Sequence, residues 1–161
     1  MFIRDEESAD VVGIRKVVEA AFPLPLEAEL VDQLRMNGES VISLVAIDGS
    51  EIVGHVLFSK MTAPFRVLGL APVSVLPSRQ RAGIGSQLIR AGLKRVEDGG
   101  WEGVFVLGDP AYYQRFGFSP ARASGFTSPY AGPHFMLLNL NGDPPVTEGN
   151  VNYAPAFAAL G

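Results

Sequence analysis

Gly83 and Gly85, separated by one residue, stand where the β-rich run Val73-Ser74-Val75-Leu76-Pro77 passes through Ser78-Arg79-Gln80-Arg81-Ala82 into an amphipathic helical pattern. A strand-to-helix turn of this kind presents the first free backbone N–H groups of a helix together with the positive end of its dipole. Glycine has no Cβ, so a bulky anion such as a pyrophosphate can come close to those groups. Arg79 and Arg81 add positive charge beside the turn, suited to a ligand with more phosphate than the amides alone satisfy. The plainer reading is that the glycines only permit close helix–sheet packing, because Gly-x-Gly alone is a weak signal. Two other nucleotide motifs are disfavoured by the letters. A dinucleotide fingerprint wants a third glycine where Leu88 stands, and the chain has no Gly-Lys-Ser or Gly-Lys-Thr.

Hydrophobic periodicity supplies the elements that must hold this loop. Phe2 to Arg4 is a short strand, and from the start signal at Ser8 the residues Val11, Ile14, Val18, Ala21 and Phe22 recur at helical spacing until Pro23 and Pro25. Leu26 to Met36 is a second helix, stopped by Asn37-Gly38. Val41 to Ile47 and Ile52 to Lys60, separated by Asp48-Gly49-Ser50-Glu51, form an antiparallel hairpin, and Arg66 to Leu76 is a third apolar run closed by Pro77. The period then changes to that of a helix through Ile84, Leu88, Ala91 and Val96, ending at Gly99-Gly100. Gly103 to Leu107 reads as a strand buried on both faces, Ala111 to Phe116 as a short helix capped by Asp109-Pro110, and His134 to Leu140 as a last strand. The expected fold is one mixed α/β domain over residues 1–161, a mostly antiparallel sheet with helices on both faces. The Gly/Pro-rich tail 141–161 carries Val151, Tyr153 and Phe157 and is expected to dock.

Composition narrows the function. At 161 residues one domain can bury about 70% of its unfolded surface, so no disulfide or metal staple is required. Thirteen Lys and Arg against seventeen Asp and Glu leave a net charge of −4, which argues against nucleic-acid binding by bulk charge. The absence of Cys excludes a thiolate nucleophile, a Cys-bound acyl intermediate, Cys-ligated zinc and disulfides. Mean hydropathy is +0.20, yet runs such as Val104-Phe105-Val106-Leu107 fall far short of the ~18 residues of a membrane span. Met1-Phe2-Ile3-Arg4-Asp5-Glu6-Glu7 lacks the layout of a signal peptide. An unprocessed cytoplasmic domain without a membrane partner is the expectation.

The stretch Gln80-Arg81-Ala82-Gly83-Ile84-Gly85 resembles the acyl-CoA-binding motif of the GNAT superfamily of N-acetyltransferases: Gln or Arg, two residues, Gly, one residue, Gly or Ala. Tyr113-Gln114-Arg115-Phe116-Gly117-Phe118 is similar to the superfamily's Tyr, three residues, Gly-Phe signature, and the order of elements matches its fold over nearly the whole chain. Ile52-Val53-Gly54-His55, Ala71-Pro72-Val73-Ser74-Val75 and Gly108-Asp109-Pro110 with Tyr112-Tyr113 look most like the bacterial YhbS-like group within it. The resemblance implies acetyl-CoA as co-substrate, with the pyrophosphate cradled by backbone amides of Arg81, Ala82, Gly83, Ile84, Gly85 and Ser86 after Gln80. It implies a splay between the strands ending near Val75 and Leu107, where backbone groups of Val73, Ser74 and Val75 pair with the pantetheine arm and polarise the thioester carbonyl. It also implies that Tyr113 is the general acid for the departing CoA thiolate. With no Cys, an amine attacks bound acetyl-CoA directly.

This chain departs from the family in two places. Thr62 to Leu76 holds no carboxylate where many members keep a Glu as general base, and the Asn that often precedes the fourth helix is missing around Gly108 and Asp109. Candidate bases are therefore His55, Glu29, Asp32 and Asp109. A lone His in a β run is more often packed than catalytic, Glu29 and Asp32 are most simply a solvated helix face, and Asp109 a cap. Trp101 reads as a corner plug, and Phe116, Phe118, Phe126, Tyr130 and Phe135 as core or as an aromatic acceptor pocket. No metal site is expected, since His134 and His55 lie far apart without companion carboxylates. The leading expectation is an N-acetyltransferase acting on a primary amine of a small molecule or of a protein or peptide. The alternative is a non-catalytic acyl-CoA sensor or partner module. Monomer and homodimer are both open.

Overall fold

The longest β-rich runs become the longest strands. A computed structural model describes residues 1–160, so Gly161 of the tail lies outside the described residues. β1 (Phe2–Asp5) leads into α1 (Val11–Ala21) and α2 (Leu26–Met36), then β2 (Ser40–Asp48), β3 (Glu51–Thr62) and β4 (Val67–Val75). α3 (Ile84–Asp98), β5 (Gly103–Leu107), α4 (Pro110–Tyr113), α5 (Pro120–Ala123), β6 (Phe126–Thr127) and β7 (Phe135–Asn139) follow. The tail adds β8 (Gly149–Asn150), β9 (Asn152–Tyr153) and a 3-10 segment, Pro155–Leu160.

The seven-stranded sheet has the order β1-β2-β3-β4-β5-β7, with β9 on the far end of β3. Its β4–β5 contact is parallel and its other neighbours are antiparallel. The β2–β3 connection is tight because Gly49, at φ +65°, takes a backbone conformation costly for other residues, with Asp48 and Glu51 paired across it. α1 and α2 cover one face through Ile14, Val18, Leu30 and Leu34 against Val45 and Leu57. α3 covers the other through Ile84, Leu88, Ile89 and Val96 against Leu44, Val56 and Phe58. It approaches closely because Gly92 lies over the Phe58 ring, where a Cβ would come within 2.2 Å.

Two irregularities in β4 shape the middle of the sheet. Between the pairs Val56↔Val73 and Phe58↔Leu70, β4 has one more residue than β3, a bulge that bends the strand. Pairing of β4 with β5 stops at Gly69↔Phe105, after which β5 continues along β7 to Leu107↔Phe135. Leu70 to Val75 are thus without a neighbour on that side, and the expected splay is present. The tail packs on the body, with Val151, Ala154 and Phe157 buried. Phe116 and Phe118 belong to the core under α3, whereas Phe135 stacks on Phe105 and Phe126 meets it edge-to-face in a separate aromatic cluster. No helix among the described residues is long and apolar enough to cross a membrane.

Candidate active site

The loop between β4 and α3 borders a cavity of about 340 Å³, lined by Gln80, Arg81, Gly83, Ile84, Gly85 and Ser86 together with residues of the β5–α4 side. Gly83 caps α3 at φ +84°, and Arg81 is also left-handed at φ +66°, the geometry with which successive N–H groups can line a concavity. The first helical hydrogen bond runs from Gln87 N–H to Gly83 O at 3.0 Å, so the amides of Ile84, Gly85 and Ser86 precede the ladder. At Gly85, a Cβ would stand 3.6 Å from the Tyr112 hydroxyl oxygen and 3.8 Å from a Val75 methyl, both part of the cavity lining. The features required by an anion site therefore coincide in one concavity.

The positive charge is arranged differently from the expectation. Arg79 borders the cavity, but its guanidinium donates to Asp48 at 2.5 Å and lies 3.9 Å from Glu51, anchoring the loop to the β2–β3 turn. The bond from Arg79 holds the Asp48 carboxyl below its usual range. Arg81 remains at the cavity, joined by Arg115, whose guanidinium lies 4.5 Å over the Tyr112 ring. Tyr112 and Arg115 were not singled out as ligand-binding residues from the sequence. Their three-residue spacing on a helical turn is the signal that places them on one side.

The adjacent tyrosines have separate positions. Tyr112 faces the loop, its hydroxyl 3.1 Å from Ser86 Oγ. Tyr113 instead lies over Gly108, just past the end of β5, where a Cβ would come within 2.5 Å of the ring. It meets Tyr112 and Phe118 edge-to-face. Burial, with a smaller contribution from Tyr112, pushes the Tyr113 hydroxyl up to about 12, so it carries its proton at neutral pH. Asp109 accepts from Ala111 N–H at 3.0 Å, the cap expected of it.

Backbone direction along β4 refines the expectation for Val73, Ser74 and Val75. Leu76 N–H donates to Val53 O on β3 at 2.9 Å. Backbone groups alternate along a strand, so Ser74 also addresses β3, while Val73 and Val75 address the splay. Val75 O accepts from Gln80 Nε2 at 3.1 Å, which ties the loop to the strand end. The Val73 and Val75 amides are thus the strand donors that face the gap, and Ser74 contributes none.

The base candidates separate clearly. Asp32 is held between Arg15 and Arg35, each of which donates to one of its carboxylate oxygens. Glu29 is exposed and lines a groove against Pro155 and Ala156, a concavity distinct from the splay. His55 is fully buried beside Ser74, its cross-strand partner. Ser43 gives its single hydroxyl proton to Glu6 at 2.7 Å and lies 2.8 Å from His55 Nε2, so the imidazole proton sits on Nε2. His55 Nδ1 and Ser74 Oγ are both buried without partners. Burial pushes His55 down to about 4, opposed by the Glu6 carboxylate and reinforced by the Arg35 guanidinium. Burial also works against ionisation of Glu6, but hydrogen bonds from Arg35 and Ser43 outweigh it and keep this carboxyl below its usual range.

A second cavity, of about 210 Å³, opens where Leu70 and Ala71 leave β5, near Leu107. Tyr130 and the tail residues Tyr153 and Phe157 wall it, and of the five aromatic residues considered for an acceptor pocket Tyr130 lines this cavity.

The profile of the acetyltransferase (GNAT) family matches residues 11–118. The uncharacterized N-acetyltransferase YjhQ of Escherichia coli K12 is 35% identical over 163 residues, spanning 92% of this chain and 89% of its own. The crystal structure of the GNAT family N-acetyltransferase YhbS from Escherichia coli in complex with CoA superposes with a TM-score of 0.93 at 32% identity, over 99% of this chain and 93% of that one. A GNAT family acetyltransferase from Brucella melitensis in complex with acetyl-CoA gives a TM-score of 0.83 at 38% identity, over 97% of each chain. Glycine loop, splayed strands and these relatives agree: the chain belongs to the GNAT family of acetyltransferases.

Proposed function

We propose that this protein transfers the acetyl group of acetyl-CoA directly to a primary amine. The observation that carries the reading is continuity: Val75, at the end of the unpaired part of β4, also lines the cavity of the glycine loop. A ligand with its pyrophosphate on the amides of Ile84, Gly85 and Ser86 can therefore lay its arm along β4 into the splay. The relatives solved with CoA and with acetyl-CoA support this choice of ligand.

Bound acetyl-CoA supplies an activated acyl group and a thiolate leaving group. The Val73 and Val75 amides face the gap where negative charge develops on the carbonyl oxygen, as fixed donors that need no reorganisation. Tyr113, protonated and seated at the end of β5, gives its proton to the departing sulfur. His55 and Ser74 are buried, and neither His55 Nδ1 nor Ser74 Oγ has a hydrogen-bond partner among the described residues, so the amine's proton passes to water at the open splay rather than through these two groups.

The absence of any carboxylate from Thr62 to Leu76 favours a second reading, a CoA-binding module without turnover. One assay separates the two: free thiol from acetyl-CoA, followed with and without amines. Amine-dependent thiol release matched by acetylated product supports transfer. Tight CoA binding with no release above the amine-free rate supports the module.

A further inference from the structure

The cavity at the mouth of the splay bears on the acceptor. The geometry points to a small monoamine with an apolar body, an arylalkyl or short alkyl amine, seated between the open ends of β4 and β5 and the docked tail. This inference rests on the transferase reading and specifies its substrate.

Three features of the cavity carry it. Its position is fixed by Leu70 and Ala71, the first β4 residues after pairing with β5 ends, and by Leu107 at the end of β5, so an occupant borders the gap that receives the thioester. Its chemistry is largely apolar, because no lining residue is charged and the hydroxyls of Tyr130 and Tyr153 are the polar side-chain groups of the lining. A second ammonium group on the acceptor would lose water there without gaining a carboxylate, a burial proteins avoid. Its shape comes from an aromatic corner, Tyr130 edge-to-face on Tyr153 at 5.5 Å and Tyr153 tilted on Phe157 at 4.9 Å. Such a corner holds an apolar or aromatic group and tolerates one cationic amine over a ring face. The volume of about 210 Å³ is that of roughly seven water molecules, enough for a phenyl or short alkyl group. The tail therefore helps to select the substrate: the pairing of β9 with β3 brings Tyr153 to the splay, and Phe157 follows it by packing into the core under α1 and α2.

The test uses the whole chain, with calorimetry for CoA and thiol release from acetyl-CoA for 2-phenylethylamine, hexylamine, ethanolamine, spermidine and kanamycin. CoA binds, and kcat/KM for 2-phenylethylamine and hexylamine exceeds that for the other three by at least about tenfold, the discrimination expected of a few apolar contacts. Leu107 is 47% exposed, so Leu107→Asp places a carboxylate at the cavity mouth without disturbing the core. In that variant the preference for 2-phenylethylamine over spermidine falls by at least about tenfold. Equal or better turnover of ethanolamine, spermidine or kanamycin, with CoA binding intact, overturns the apolar acceptor while the transferase reading stands. An unchanged preference in Leu107→Asp overturns its placement in this cavity. Failure to bind CoA, or binding without turnover of any amine, overturns the transferase reading and this inference with it.

Discussion

Ser86 Oγ and the Tyr112 hydroxyl stand 3.1 Å apart, joining the first turn of α3 to the short helix that follows β5. This bond fixes one wall of the loop cavity against the other, and with Arg115 over the Tyr112 ring it gives the second wall both a polar atom and a positive charge. Tyr112→Phe keeps the ring and loses the bond. A hydrogen bond of this type contributes about 0.5–1.5 kcal/mol, so CoA affinity is expected to fall by about two- to tenfold with kcat little changed. Calorimetry with CoA beside steady-state kinetics checks this. A normal affinity would show that the wall does not touch the ligand.

Tyr113 is expected to behave oppositely. Its ring rests on Gly108 at the end of β5 and its hydroxyl keeps its proton well above neutrality. Tyr113→Phe should lower kcat by about a hundredfold, the low end for a general acid because a thiolate is already a fair leaving group, while CoA affinity stays close to wild type. A fully active variant would remove the residue from the mechanism. Weaker CoA binding at normal kcat would make it a packing residue only.

The glycine loop, the tyrosine signature and the alternation of strands and helices were legible because each is a local pattern. The pairing of Arg79 was not, since Asp48 is 31 positions away and reaches it only after the β2–β3 turn folds back. Nor was the direction of His55. Pairing of β2 with β3 slips between Ala46↔Gly54 and Ile47↔Ile52, leaving Val53 as an extra residue. Val53 belongs to the core under α3 and the missing Cβ of Gly54 also points at Leu88, so simple alternation fails there. It resumes with His55 turned toward Ser43 and Glu6. The pieces β6, β8 and β9 have two residues each, too few to carry a period, which is why the route of the tail was not readable.

His55 also gives the fold a definite acid response. Its folded-state value near 4 lies below the unfolded value of about 6.5, so the unfolded chain binds the extra proton first. The stability contributed by the neutral imidazole is complete above pH 6.5 and declines as pH falls toward 4. Between pH 7 and 4.5 this amounts to about 2 to 3 kcal/mol. Urea unfolding at both pH values is expected to show that loss in the wild type and much less in His55→Gln. Equal acid sensitivity in the two chains would place the titration elsewhere.

The most direct measurement is a calorimetric titration of CoA into the wild-type chain and into Gly85→Val, with melting temperatures recorded for both. A Cβ at Gly85 meets Tyr112, Val75 and Val73 at ordinary contact distance, and Tyr112 and Val75 line the loop cavity, so the two methyl groups of valine crowd that cavity beside the Ile84 to Ser86 amides. The wild type should bind one CoA per chain, and Gly85→Val should bind at least about tenfold more weakly, a loss of about 1.4 kcal/mol or more, with little change in Tm. Equal affinity in the two chains would contradict the placement of the pyrophosphate on this loop, and with it the account of how the chain uses acetyl-CoA.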